Sequence, residues 1–144
     1  MGCGRCIGMC PQDAIACDYD ESNIVLNRKI AEYTKAVVDG RPCFHISLVI
    51  DVSPNCDCHA ENDVPIVPNV GMFASFDPVA LDQACADAVN KMPANPQSAL
   101  FDHGAAHDDH DHFHAAHPET NWQSALEHAE KLGLGTRQYT LIEI

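Results

Sequence analysis

Four stretches of the chain place apolar residues at strand or helix spacing, with polar or proline-bearing runs between them. CFHISLVIDV (43–52) is almost continuously apolar and rich in β-branched residues. That pattern predicts a strand covered on both faces. Cys43 and His45, two residues apart, share one face of it. Upstream, IVLN (24–27) reads as a short strand, with Asn27 capping a following helix and Gly40 ending it. Within 28–39, Ile30, Tyr33, Val37 and Val38 fall on one helical face, predicted to meet the core.

Downstream, IVPNVGMFASFDP (66–78) reads as a strand broken by Pro68 and Gly71, then a tight helix entry. Asp77 is suited to the N-cap and Pro78 to the first helical position. Leu81, Ala84, Cys85, Ala88, Val89 and Met92 continue at helical spacing. Asp77 thus has a structural role; Asp82, one turn on, either answers the helix dipole or faces a site. Thr120 and Gln123 form a T-x-x-Q capping box before the stripe Trp122, Ala125, Leu126, Ala129 and Leu132. Gly133 or Gly135 ends that helix, and RQYTLIEI (137–144) is predicted to close the sheet as an edge strand. Strands alternating with helices predict an α/β fold with a mostly parallel or mixed sheet.

The first eleven residues, MGCGRCIGMCP, follow a different logic. Cys3, Cys6 and Cys10 stand in the spacing C-x2-C-x3-C and lead directly into Pro11. Bacterial cluster-binding ferredoxins use C-x2-C-x2-C-x3-C-P. Aligning Cys10-Pro11 with the end of that run places its first cysteine just before Met1. The sequence is therefore expected to be a fragment that begins one residue into the motif, with an incomplete ligand set for a [4Fe–4S] cluster. Gly2, Gly4 and Gly8 suit a backbone that wraps tightly and aims amides at sulfur.

These residues resemble ferredoxin-type modules, and PQDAIA after Cys10 resembles the strand that follows the cysteines there. The likeness extends further. SPNCDCHAENDVPIVPNVGMFASFDPVALDQACADAVN and HPETNWQSALEHAEKLGLGTRQYTLIEI together resemble the C-terminal half of prokaryotic iron–sulfur centre proteins classed as domain of unknown function 362. That resemblance implies two parts. Residues 1–22 are the end of a truncated ferredoxin-type module. Residues 23–144 are a partial α/β domain with a His-rich insertion at about 103–117.

Two further regions carry soft ligands. SPNCDCHAENDVP (53–65) is an irregular loop after a predicted strand end, where α/β folds place their sites. Its Cys56, Cys58 and His59 can offer two thiolates and an imidazole, although ligands so close in sequence strain a single tetrahedral site. DHGAAHDDHDHFHAAH (102–117) has the composition of a metal-binding tract, with His103, His107, His110, His112 and His114 as candidate ligands for zinc or nickel. Gly104, the aspartates and Pro118 argue for a loop ordered by metal over a helix. Deleting 103–111 is expected to leave folding unchanged.

Charge narrows the partners. Eight Lys and Arg against 21 Asp and Glu give a net −13, and no basic run occurs, which excludes nucleic acid and anionic membrane surfaces. No stretch reaches the roughly 20 apolar residues of a membrane span. Eight cysteines in clustered spacings point to a reducing cytoplasm over a disulfide framework. The residues lack G-x-S-x-G, Walker A, H-E-x-x-H and G-x-G-x-x-G motifs, which leaves hydrolase or transferase chemistry without support. The expected function is a cluster-binding electron-transfer module, of an oxidoreductase or another larger redox protein, that meets a redox partner or the missing N-terminal part of its own protein. The competing reading is metal handling by the Cys56-Cys58-His59 loop and the His-rich segment.

Overall fold

The computed structural model describes residues 9–12, 14, 22–56, 62–102 and 111–144. In chain order the elements are α1 (Ser22–Val38), β1 (His45–Val49), β2 (Gly71–Ser75), α2 (Pro78–Lys91), α3 (Ala99–Asp102), α4 (His112–Ala116) and α5 (Gln123–Lys131). The fold is mixed α/β, as the alternating pattern predicts. The described sheet has two strands paired antiparallel, with His45 opposite Ser75 and Val49 opposite Gly71. The parallel neighbours expected from the apolar run are not among the described residues.

Strand 43–52 is shorter than its apolar run and is covered on one side only. Its alternation puts Cys43, His45, Ser47 and Val49 inward and leaves Phe44, Ile46, Leu48 and Ile50 exposed. α2 packs on the inner face. Val49, Ile66, Val67, Val89, Leu100 and Ala115 form the larger core there, with Phe73, Phe101 and Phe113 packed around it.

α1 corrects two expectations. IVLN (24–27) is helical, inside α1, and its turn is held from outside. Asn27 does not cap; its Nδ2 donates to Asn121 O at 2.7 Å and Ser124 Oγ at 2.8 Å. The buried face is also different. Ala31 is 4% exposed while Tyr33 is 73% exposed, and Ile30 and Val37 face outward too. The small Ala31 sits against Val79, Leu126 and Ala129 in a second core cluster, and α1 lies along α5. Gly40 does end the helix as expected, with φ of 68° in the left-handed region that glycine adopts without strain.

α2 begins as its sequence predicts. Asp77 Oδ1 accepts from Val79 N at 2.9 Å and Ala80 N at 3.0 Å, and Pro78 takes the first helical position. The second carboxylate oxygen accepts from Thr136 N at 2.9 Å. Asp77 thus also ties the C-terminal segment to the head of α2. Gly135 is required at this crossing, since a Cβ there would strike the Asp77 carboxylate. Gly135→Ala is expected to cost about 1–2 kcal/mol by displacing the cap. Because both changes act on the same contact, combining Gly135→Ala with Asp77→Ala should add little in chemical denaturation.

The C-terminal elements bring two more corrections. Trp122, at the head of α5, makes no side-chain cap; Asn121 Oδ1 accepts from Ser124 N at 3.1 Å instead. Thr120 Oγ1 turns back to His117 O at 2.9 Å, so the T-x-x-Q capping box does not form. The apolar stripe itself is in place, with Leu126 and Ala129 buried and Trp122 and Leu132 packed against them. RQYTLIEI (137–144) is not an edge strand. Glu130 holds Arg137 instead, and Tyr139 donates its hydroxyl to Asp87 at 2.7 Å. These contacts tie the segment to α5 and α2.

Candidate functional site

The candidate residues fall in three places, and the fold links two of them. At the N-terminal end, Cys10 precedes the turn at Pro11 and Gln12 and is half-buried. Its sulfur accepts a hydrogen bond from Ala14 N at 3.4 Å. An amide aimed at sulfur stabilises thiolate charge, which is the environment a cluster or metal ligand needs. Cys3, Cys6 and Cys17 lie outside the described residues.

The second place is the loop that leaves β1. Val49 O accepts from Val70 N at 2.9 Å and Val52 O from Ile66 N at 2.8 Å, which hold the chain beside its returning segment. Between them Asp51 adopts φ of 48°, and its N–H donates to Asn69 Oδ1 at 2.8 Å. A non-glycine residue in that region is uncommon and costs about 1 kcal/mol or more. Here the Asn69 side chain holds the reversal. Ser53 Oγ then donates to Asn55 O at 2.8 Å, and Asn55 and Asn62 exchange bonds across the loop at 3.3–3.4 Å. Cys56 thus follows a braced turn with its thiol exposed. Cys58 and His59 lie outside the described residues.

The third place is the His-rich tract. His103, His107 and His110 lie outside the described residues. His112 is 8% exposed, and its Nε2 lies 2.8 Å from Met92 O. A carbonyl only accepts, so that nitrogen carries the proton. His114 is exposed on α4. Asp111 caps this short helix, accepting from Phe113 N and His114 N, both at 3.1 Å. It also accepts from Trp122 Nε1 at 2.9 Å and Gln123 Nε2 at 3.1 Å. Burial pushes its carboxyl up, but the Trp122, His114, Gln123 and Phe113 donors outweigh burial and hold it below the ordinary range.

His117 joins the second and third places. Its Nε2 donates to Pro54 O at 2.7 Å, two residues before Cys56, and its Nδ1 lies 3.6 Å from Glu119 Oε1. Sequence spacing places His117 in the histidine series; only the fold reveals that it braces the Cys56 loop.

A further polar group lies under α2. His45 Nε2 is buried with no hydrogen-bond partner. Asp82 is an exposed residue, but its side chain is set among apolar residues of α1, α2 and α5, including Ile30, Val79 and Leu126. That crowding pushes its carboxyl up, with His45 pulling the other way. Burial likewise raises the Cys85 thiol, which the Ser47 hydroxyl partly offsets and Asp82 reinforces. Among the described residues, no three His, Cys, Asp or Glu side chains are grouped to hold a metal ion. No helix among them is long and apolar enough to cross a membrane.

Residues 1–87 match the family model described as Domain of unknown function (DUF362). The chain belongs to the DUF362 family. The DUF362 match contains Cys3, Cys6, Cys10, β1, the loop carrying Cys56, Cys58 and His59, β2, and α2 as far as Asp87. It ends before the His-rich tract, α4 and α5. Comparison with curated proteins and with solved structures found no match.

Proposed function

We propose that this DUF362 chain binds a [4Fe–4S] cluster through Cys3, Cys6 and Cys10, as an electron-transfer module of a larger cytoplasmic redox protein. The carrying observation is the thiol spacing that ends in Cys10-Pro11, together with the Ala14 amide directed at the Cys10 sulfur. The donor set is chemically suited: three thiolates on a glycine-rich segment prefer iron, and a half-buried sulfur with an N–H donor is stabilised as thiolate. Such a cluster supplies one-electron transfer. The chain's net −13 charge opposes adding an electron nearby, which biases the site towards low potential. In ferredoxins with two clusters, the cysteine before proline serves the other cluster. Cys10 would then stand apart from the Cys3 and Cys6 pair.

The test is anaerobic reconstitution of the chain with iron and sulfide, beside a Cys3→Ser, Cys6→Ser, Cys10→Ser variant. Iron retention is expected to depend on the three cysteines and to stay below one cluster per chain. Helix content by circular dichroism should be the same in both, because α2, α4 and α5 carry their own caps and cores. Equal iron in both proteins would sink the assignment. Retention of zinc or nickel alone would move it to metal handling at the Cys56 loop and His-rich tract.

A further inference from the structure

The outer face of the β1–β2 sheet carries Phe44, Ile46, Leu48 and Ile50 from one strand and Met72 and Phe76 from the other, all exposed. Met72 is 69% and Phe76 79% open to solvent. The Phe44 and Phe76 rings lie 5.0 Å apart at a 58° tilt, so one end of the face is a small aromatic cluster. No residue from Cys43 to Ile50 or from Gly71 to Phe76 is charged, and neither stretch contains proline. Natural edge strands are guarded by lysine, proline or bulges, and β1 and β2 have none of them within their paired residues.

We propose that this face is the contact surface between two copies of the chain, stacked sheet against sheet about a two-fold axis. The area decides for a partner of matching shape and chemistry. With 150–250 Å² for a whole aromatic side chain as scale, the face leaves on the order of 600 Å² of apolar surface open. Two such faces would bury about 1,200 Å², the lower end of stable interfaces. Homodimer contacts favour this make-up, with aromatic residues and methionine at the centre and charge at the rim. The rim is self-complementary: Arg41 precedes β1 and Asp51 follows it, so antiparallel stacking sets opposite charges at both ends. The net −13 on each copy opposes the approach, and rim pairs so exposed offset little of it. Salt should therefore tighten the dimer by screening.

Sedimentation velocity of the 144-residue chain over a concentration series, at low and moderate salt, tests this. A monomer–dimer equilibrium is expected, with the dissociation constant falling at least threefold at the higher salt. Ile46→Lys and the milder Ile46→Ser should each weaken it tenfold or more, with circular dichroism unchanged. Tyr33→Lys, on the exposed side of α1, should leave it as it was. Monomer at every concentration would overturn the proposal. So would a dimer indifferent to both Ile46 variants, or open-ended growth without a dimer plateau.

Discussion

Asp111→Ala is expected to destabilise the fold by about 2–3 kcal/mol, an effect set by hydrogen-bond accounting. One carboxylate caps α4 through two backbone amides and accepts from Trp122 and Gln123 at the start of α5. Losing a cap alone costs about 1 kcal/mol. Leaving the Trp122 and Gln123 donors without their acceptor adds about 1–2 kcal/mol. Trp122 also packs on Phe113, ring centroids 5.7 Å apart, so a displaced indole disturbs both helices. The same carboxyl titrates below its ordinary 3.8 because its donors outweigh burial. A depressed acid contributes stability that is complete above its unfolded value and lost as pH falls through the folded one. The gap in thermal stability between wild type and Asp111→Ala should therefore hold at neutral pH and narrow below pH 3.8. A constant gap down to strong acid would mean that charge on Asp111 has no part in it.

Asp111 shows where sequence reading stops. In DHGAAHDDHDHFHAAH its aspartates look alike, and composition alone makes 103–111 a removable insertion. The structure makes the last of those residues a hub between α4 and α5, so a deletion that includes Asp111 should unfold this corner. The partners that decide this are eleven and twelve residues away, beyond the range of local pattern. Local signals were read well where the decisive contact is also local. Asp77-Pro78 opens α2, Gly40 ends α1, and Cys43 and His45 share one face of their strand, whereas the apolar run that predicts cover on both faces leaves Phe44, Ile46, Leu48 and Ile50 exposed.

Misreadings arose where packing chose against propensity. IVLN opens with two β-branched residues, yet it is helical, with α1 docked on α5 by Ala31 and by Asn27 bonds to residues 121 and 124. The apolar side chains of α1 gave a stripe, but the seam was taken by alanine, whose small size lets two helices approach. The cysteine spacing of the proposed cluster site is a local motif, and its Cys3 and Cys6 lie outside the described residues. The His45, Asp82 and Cys85 neighbourhood was only half legible, since helix spacing joins Asp82 to Cys85 but only the packing of α2 on β1 adds His45.

His117→Ala is expected to cost about 2 kcal/mol and to loosen the loop that carries Cys56. The ring reaches across 63 positions of sequence to donate Nε2–H to Pro54 O at 2.7 Å. Pro54 is buried, so its carbonyl would lose its partner where water reaches it poorly, and a buried unsatisfied acceptor costs about 1–3 kcal/mol. The other end of the brace is fixed as well. His117 O accepts from Thr120 Oγ1 and Thr120 N, and Nδ1 faces Glu119. A proton on both ring nitrogens satisfies the carbonyl and the carboxylate together, whereas the neutral ring serves only one of them as donor. Glu119 is exposed, so its pairing is worth less than the Pro54 bond, and Glu119→Gln should cost under about 0.5 kcal/mol. His117→Gln, which keeps an N–H donor, should recover part of the loss. Native-state hydrogen exchange separates a local effect from a global one. The amides of Asn55 and Cys56 should exchange faster in His117→Ala by more than the global loss explains, while α2 amides follow global stability alone. Uniform acceleration across the chain would make His117 an ordinary packing residue and leave the Cys56 loop without its proposed brace.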